Sequence, residues 1–301
     1  MIMKYILFII SLFFVSGLSA QKSYKETKTF VGDYDYNSGD KLKISGERTF
    51  IYLEVWDHNK VEAQVEVVSR YSNQSQALED IEKIAVRFEK KGKTIYYNNA
   101  LNIQSGKGKP KSNLKTILKL YIPKGANIEI TNAYGEIHLN GDIGNLQIQS
   151  QFTSVHAKSL VAEAEVNVRF GEIEWDNCRG KAKIEANRTN LKIKNPEGVL
   201  ETKIQYSELD LAYIDKVTNL KIEAEHSPIT LLLSEDYNKP CKVECERCNV
   251  NIDSCSKIVD EKISGKKHEV YLVDKDKLTG KIVSKHADVT IINTNSYSNS
   301  K

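Results

Sequence analysis

The phrase AYGEIHL at residues 133–139 returns as RFGEIEW at residues 169–175. Taking the aromatic as the first position of a copy, YGEIHL starts at Tyr134, FTSVHA at Phe152, FGEIEW at Phe170, RTNLKI at Arg188 and YSELDL at Tyr206, each 18 residues after the last. The two matching phrases are thus two periods apart, with a divergent copy between them. HSPITL from His226, RCNVNI from Arg247, KHEVYL from Lys267 and HADVTI from His286 continue the pattern at a looser spacing.

The columns of this alignment carry the fold. Three residues after each start stand Ile137, Val155, Ile173, Leu191, Leu209, Ile229, Val250, Val270 and Val289. Five after stand Leu139, Ala157, Trp175, Ile193, Leu211, Leu231, Ile252, Leu272 and Ile291. Four before stand Ile130, Ile148, Val166, Ile184, Thr202, Ile222, Val243, Ile263 and Ile282, where only Thr202 is polar. The chain is 40% apolar overall, so columns this uniform reflect constraint. A spacing of two within each copy is strand alternation with one face buried. A fixed period near 20 residues marks a stacked repeat whose single copy cannot bury its own apolar face. The expected fold is mostly β: a parallel β-solenoid of about nine 18–21-residue coils over residues 126–293. An antiparallel sandwich or barrel also has short strands at similar spacing, but does not require a constant register.

Residues 21–125 read as an N-terminal β segment. Leu42, Ile44, Ile51, Leu53 and Val55 fit the same template with Arg48 as the start, and Thr94–Tyr97 and Leu114–Ile122 read as strands. Leu78, Ile81, Ile84, Ala85 and Phe88 share a helical face and predict one short amphipathic helix at about 75–88. The loop between the last two strands holds Lys107, Lys109 and Lys111, which read as a solvated face with a polyanion contact as the alternative. Residues 294–301 are a polar tail.

The chain opens with Lys4, an apolar run from Tyr5 to about Val15, and small residues up to Ala20. This is the layout of a secretory signal peptide over residues 1–20. The run is short for a membrane span. The expected product is exported, periplasmic or extracellular, with no membrane insertion after signal removal. The formal net charge is +3, one unit of which leaves with Lys4. That balance argues against nucleic acid or an anionic membrane as a partner.

The segments YLEVWDHNKVEAQVEV, YIPKG and YGEIHLNGDIG, in this order behind a leader, are similar to an adhesin-like β-strand-repeat family of unknown function. That family is bacterial and secreted, with auto-transporter adhesin-head domains as its neighbours. The resemblance covers most of residues 40–292 and implies an extracytoplasmic, mostly β repeat fold. Its motifs are strand and turn patterns, and they carry over no catalytic residue.

Residues able to do chemistry are few. His138, His156 and Glu174 share the column four after the start, so stacking would bring two imidazoles and a carboxylate together as zinc candidates, with a wet polar ladder as the alternative. Glu223, Glu225, Glu244 and Glu246 would gather on two adjacent coils, a calcium-type set that Lys221 and Lys242 already balance. Asp274 to Gly280 departs from a calcium loop at its fifth and sixth positions. Cys241, Cys245 and Cys248 have the CxxxCxxC spacing of iron–sulfur ligands, but the repeat frame puts them at buried small-residue positions. Buried thiols or a disulfide such as Cys241–Cys255 are the expected state. The chain contains no GxSxG, HExxH, GxGxxG or phosphate-binding glycine loop. No catalytic residue and no cofactor is therefore expected. The functional expectation is a non-catalytic exported scaffold or adhesin-like protein presenting ladder faces to a protein or glycan partner at the cell envelope. A cell-envelope stress or signalling accessory protein is the alternative, and a polysaccharide lyase or hydrolase on a β-helix is a further one.

Overall fold

The computed structural model describes residues 23–102, 108–253 and 258–294. The leader, Lys107, Cys255 and residues 295–301 of the tail lie outside them. Among the described residues the chain is mostly β, with one short helix and a 21-stranded sheet that does not close on itself.

The columns written in the sequence are physical contacts. Val155 pairs with Ile173, Ile173 with Leu191, Leu191 with Leu209 and Leu209 with Ile229, all in parallel ladders. On the preceding strands Val166, Ile184, Thr202 and Ile222 pair in the same way. Each layer, or rung, holds two strands joined at a corner, and its inward side chains join one continuous core. Parallel ladders place equivalent residues about 4.8 Å apart, so a change at one position is felt by the rungs on either side.

Each corner is the residue that starts a copy. Arg48, Tyr134, Phe152, Phe170, Arg188, Tyr206, His226, Arg247 and His286 all have φ between 49° and 61°. Side chains of this size rarely adopt the left-handed region. Here the corner amide still donates to the next rung: Phe170 to the Asn187 carbonyl, Arg188 to Gln205 and Tyr206 to Glu225, at 3.0–3.1 Å. The ladder thus continues through the bend and offsets the backbone strain. The residue after the corner must be small, because a Cβ at Gly135 or Gly171 would collide with the carbonyl oxygen of Thr49 or Thr153 on the adjacent rung. At other rungs a buried hydroxyl takes this place: Ser207 Oγ accepts from the Thr189 amide and Ser227 Oγ from the Ser207 amide.

The ends of the stack depart from chain order. Ile229 pairs with Val289, and Val289 with Val250, so the rung at His286 lies between those at His226 and Arg247. The copy expected at Lys267 is no rung at all. Lys267–Leu272 runs antiparallel to Cys241–Glu246 and forms a hairpin with Ile258–Ser264. Ile263, expected inside, is accordingly 72% exposed. At the other end Thr94–Leu101 and Asn113–Pro123 form a parallel rung against Lys41–Glu47 and Thr49–Trp56, one that periodicity did not reveal. Lys41–Glu47 and Thr49–Trp56 in turn pair onto Asn127–Arg169. Antiparallel strands Tyr24–Asp35, Lys60–Tyr71 and Ile84–Lys91 flank this end, as expected where an open edge must be covered.

The helix spans Gln74–Ile81, capped by the Asn73 side chain on the Gln76 amide. It is shorter than expected, because Ile84, Val86 and Phe88 alternate as a strand paired with Thr94–Leu101. Leu78, expected on the buried face, is exposed, whereas Ala77, Asp80 and Ile81 are buried. Burial opposes ionisation of Asp80, but hydrogen bonds from Lys83, Ser112 and the Lys111 amide outweigh it and hold the carboxyl well below the usual range. This carboxylate fastens the helix to the strand that begins at Asn113.

Two substitutions test the core. Ile173→Asp, at a fully buried position, should lower stability by on the order of 4 kcal/mol, since it places an unpaired charge between two rungs. An unchanged denaturation midpoint would contradict that placement. Thr202, the one polar residue of its column, is buried with no protein partner for its hydroxyl. Thr202→Val should raise stability by about 1 kcal/mol, read by urea denaturation, and a loss of stability would show that the hydroxyl is satisfied.

Candidate functional site

Stacking the corners stacks their side chains. Tyr134 and Phe152 lie 5.0 Å apart at 0°, and Phe152 and Phe170 lie 5.0 Å apart at 9°. The Arg188 guanidinium follows, between Phe170 at 5.4 Å and Tyr206 at 5.9 Å. Tyr206 stacks on His226 at 5.1 Å, and His226 on His286 at 4.8 Å. Arg48 and Arg247 occupy the same column at its two ends. Tyr134, Phe152, Phe170 and Tyr206 remain 39–56% exposed. The rings cover one another's faces and turn their edges to solvent. Those edges carry the positive part of the ring quadrupole, and the column contains arginines but no carboxylate. The sequence already held this feature, as aromatics recurring at position one, but strand alternation does not say that a corner residue points outward.

The outward strand faces are different in kind, because many of their charges pair with one another, within a strand or across rungs. Lys183 bridges Glu165 at 3.0 Å and Glu185 at 3.4 Å, and Lys221 bridges Glu223 at 2.8 Å. The expected cluster of Glu223, Glu225, Glu244 and Glu246 does not form, since the strand Gly280–Lys285 inserts between the two pairs. Its Lys281 meets Glu244 at 3.2 Å and its Lys285 meets Glu246 at 3.7 Å.

The zinc candidates do come together. His138 and His156 stack at 4.7 Å, and Tyr52 covers the other face of His138 at 4.7 Å. Glu174 accepts or shares a proton with His156 Nδ1 at 2.9 Å, and Glu136 does so with His138 Nε2 at 2.9 Å. The ligand atoms that cluster within 4.8 Å belong to Glu136, His138 and His156. Glu174 therefore stands one step behind the place the column suggested, and Glu136 was missed because it lies two residues earlier in its copy. The group borders an open hollow of about 430 Å³ that also reaches Glu54, Asn140 and Lys158.

The cysteines behave as structural residues. Cys245 and Cys248 form a disulfide, and Cys178 and Cys241 are buried thiols. Burial pushes Cys241 up to about 12 and Cys178 up to about 11, which opposes the thiolate that a metal cluster needs. The alternative bridge from Cys241 to Cys255 falls outside the described residues. No helix among the described residues is long and apolar enough to cross a membrane.

No family model and no curated protein matches the chain. Among solved structures, the chain is similar to a "putative cell adhesion protein" from Clostridium sporogenes at 11% identity and a TM-score of 0.28, over 89% of this chain and 100% of that one. It is also similar to a "putative adhesin" from Bacteroides fragilis at 13% identity and a TM-score of 0.29, over 88% of this chain and 97% of that one. A third, a "putative adhesin" from Parabacteroides distasonis, has 10% identity and a TM-score of 0.29 over 88% and 97% of the respective chains. Likeness this loose carries no functional argument, which rests instead on the side chains above.

The corner column can be tested for a structural role. Phe152→Gly removes two ring stacks, worth roughly 0.5–1.5 kcal/mol each, and releases a left-handed backbone that costs a bulky residue about 1–3 kcal/mol. The two nearly cancel, so stability should change by less than about 1 kcal/mol in urea denaturation. A loss several times larger would make the column a stabilising device.

Proposed function

We propose that this chain is an exported, non-catalytic binding protein whose rungs wind as a β-solenoid and whose binding face is the corner column from Tyr134 to Tyr206. The observation that carries the reading is that four large aromatics stay exposed on left-handed backbone, in register, with Arg188 among them. Backbone held in this region by its surroundings points to a use at that position. The neighbouring strand faces pair many of their charges and, among the described residues, carry no comparable line of exposed aromatics.

The geometry favours a protein over a glycan. A sugar ring docks on the open face of an aromatic, and here the faces are taken by neighbouring rings. Exposed edges form a notched, rigid strip into which aliphatic and aromatic side chains can wedge, while Arg188 offers a fork for a carboxylate. Tyrosine and arginine are also the residue types that dominate binding energy at protein interfaces. The expected partner is therefore an envelope protein with an apolar surface that carries acidic groups. A purely enzymatic role has no support in any residue set described above.

The test is affinity capture from envelope extract with the mature chain, beside a Phe152→Ser, Phe170→Ser, Tyr206→Ser triple variant and a Lys183→Ser, Lys203→Ser control. The reading expects one purified protein partner to bind the parent and the control, and to lose at least tenfold in affinity for the triple variant, measured at a temperature where circular dichroism shows that variant still folded. Equal binding by all three, retention of a glycan alone, or shortening of a glycan would contradict it.

A further inference from the structure

The column four places after the corner carries a second feature, independent of the partner reading. From its geometry we infer that Glu136, His138 and His156 form a surface zinc site, with Glu174 as the positioning residue.

The donor set and its spacing support this. Two imidazole nitrogens and a carboxylate oxygen suit a borderline ion such as zinc, and differ from the all-oxygen sets of calcium and magnesium. With zinc–ligand bonds near 2.0–2.1 Å, two ligand atoms on a tetrahedral ion stand roughly 3.4 Å apart. Here the Glu136 oxygen and His138 Nε2 are 2.9 Å apart, and all three ligand atoms fall within 4.8 Å of one another. Closing that range requires the two stacked, nearly parallel imidazoles to tilt toward one another, a side-chain motion that moves no strand.

The surroundings hold the rings ready. Glu174 takes the Nδ1 side of His156 at 2.9 Å, which leaves Nε2 to bear the lone pair. A carboxylate behind a histidine ligand is the arrangement that fixes its tautomer and raises its basicity. Tyr52 lies over the far face of His138, nearly parallel at 7°, so that ring is held between two others. Tyr52, Glu136, His138 and Glu174 belong to hydrogen-bonded strands, and sites built on such elements are better defined than sites on loops. Three protein donors on an exposed face leave the fourth tetrahedral position to water or to a ligand from another molecule.

A second stacked pair, His226 and His286 at 4.8 Å, supplies an internal control. It lies in the corner column, and among the described residues no third ligand joins it to make a group of three. Stacked histidines alone therefore do not define the site, and the carboxylate of Glu136 is the distinguishing element.

The experiment is isothermal titration of the chelator-stripped mature chain with zinc sulfate, with cobalt absorption spectra as a second readout. One zinc per chain is expected. His138→Ala, His156→Ala and Glu136→Gln should each reduce affinity by at least a hundredfold and remove the cobalt spectrum, with apo melting temperatures kept. Glu174→Gln should weaken binding about 10- to 100-fold. A His226→Ala, His286→Ala variant should bind as the parent does. No binding by the parent, or binding lost in the His226 and His286 variant while kept in His138→Ala and Glu136→Gln, would overturn the assignment.

Discussion

The hydrogen bond between one rung and the next, held at a constant register, is the constraint from which the rest follows. Because strand side chains alternate with a period of two, a slip of one residue would turn every inward side chain of a rung outward. The buried columns forbid that slip. Val155, Ile173, Leu191 and Leu209 lie against one another because any other register would expose them. The same lock extends to positions with no apolar reason to align. Corner aromatics, outward histidines and opposite charges are all brought to a fixed repeat by ladders that the core dictates.

The corner is where this constraint becomes visible at the surface. A left-handed residue turns the chain while its amide still serves the ladder, and its side chain is thrown outward. Along the stack this yields a single line of stacked side chains from Tyr134 to His286, with Arg48 and Arg247 at the flanking corners. Turns of this kind are usually left to glycine or asparagine. At the second left-handed position of each copy the chain does use Asn177 and Asn195, with Ser159 and Tyr213. The first position carries Tyr134, Phe152, Phe170 and Tyr206 in one column, whereas of these second-position residues only Tyr213 is aromatic.

Much of the layer content was legible in the sequence, because periodicity assigns each residue to a column. Order was not legible, because a column position is the same for any arrangement of the rungs. Ile229 meets Val289 as well as it would meet Val250, and alternation alone says nothing about which lies next. Alternation also lacks direction, which is how KHEVYL could be read as a rung when it returns antiparallel. The left-handed Gly265 between Ile258–Ser264 and Lys267–Leu272 was the local signal for that hairpin. The helix was overextended for a similar reason: Ile81, Ile84 and Phe88 suit a helical face, but Ile84, Val86 and Phe88 suit a strand, and pairing with Thr94–Leu101 decided the matter. The histidine column was readable, whereas Glu136 and Tyr52 required three dimensions.

The most direct measurement of the account is the cross-linking pattern of engineered cysteine pairs near the end of the stack. Lys221 and Lys281 are register partners on adjacent strands, and Lys281 also partners Lys242 from the other side. Adjacent rungs place Cα atoms about 4.8 Å apart, within disulfide reach, and alternate rungs place them beyond it. Lys221→Cys with Lys281→Cys should oxidise to a disulfide seen by peptide mass spectrometry, and Lys221→Cys with Lys242→Cys should not. A bond in the second pair and none in the first would show that the rungs are not ordered or registered as described.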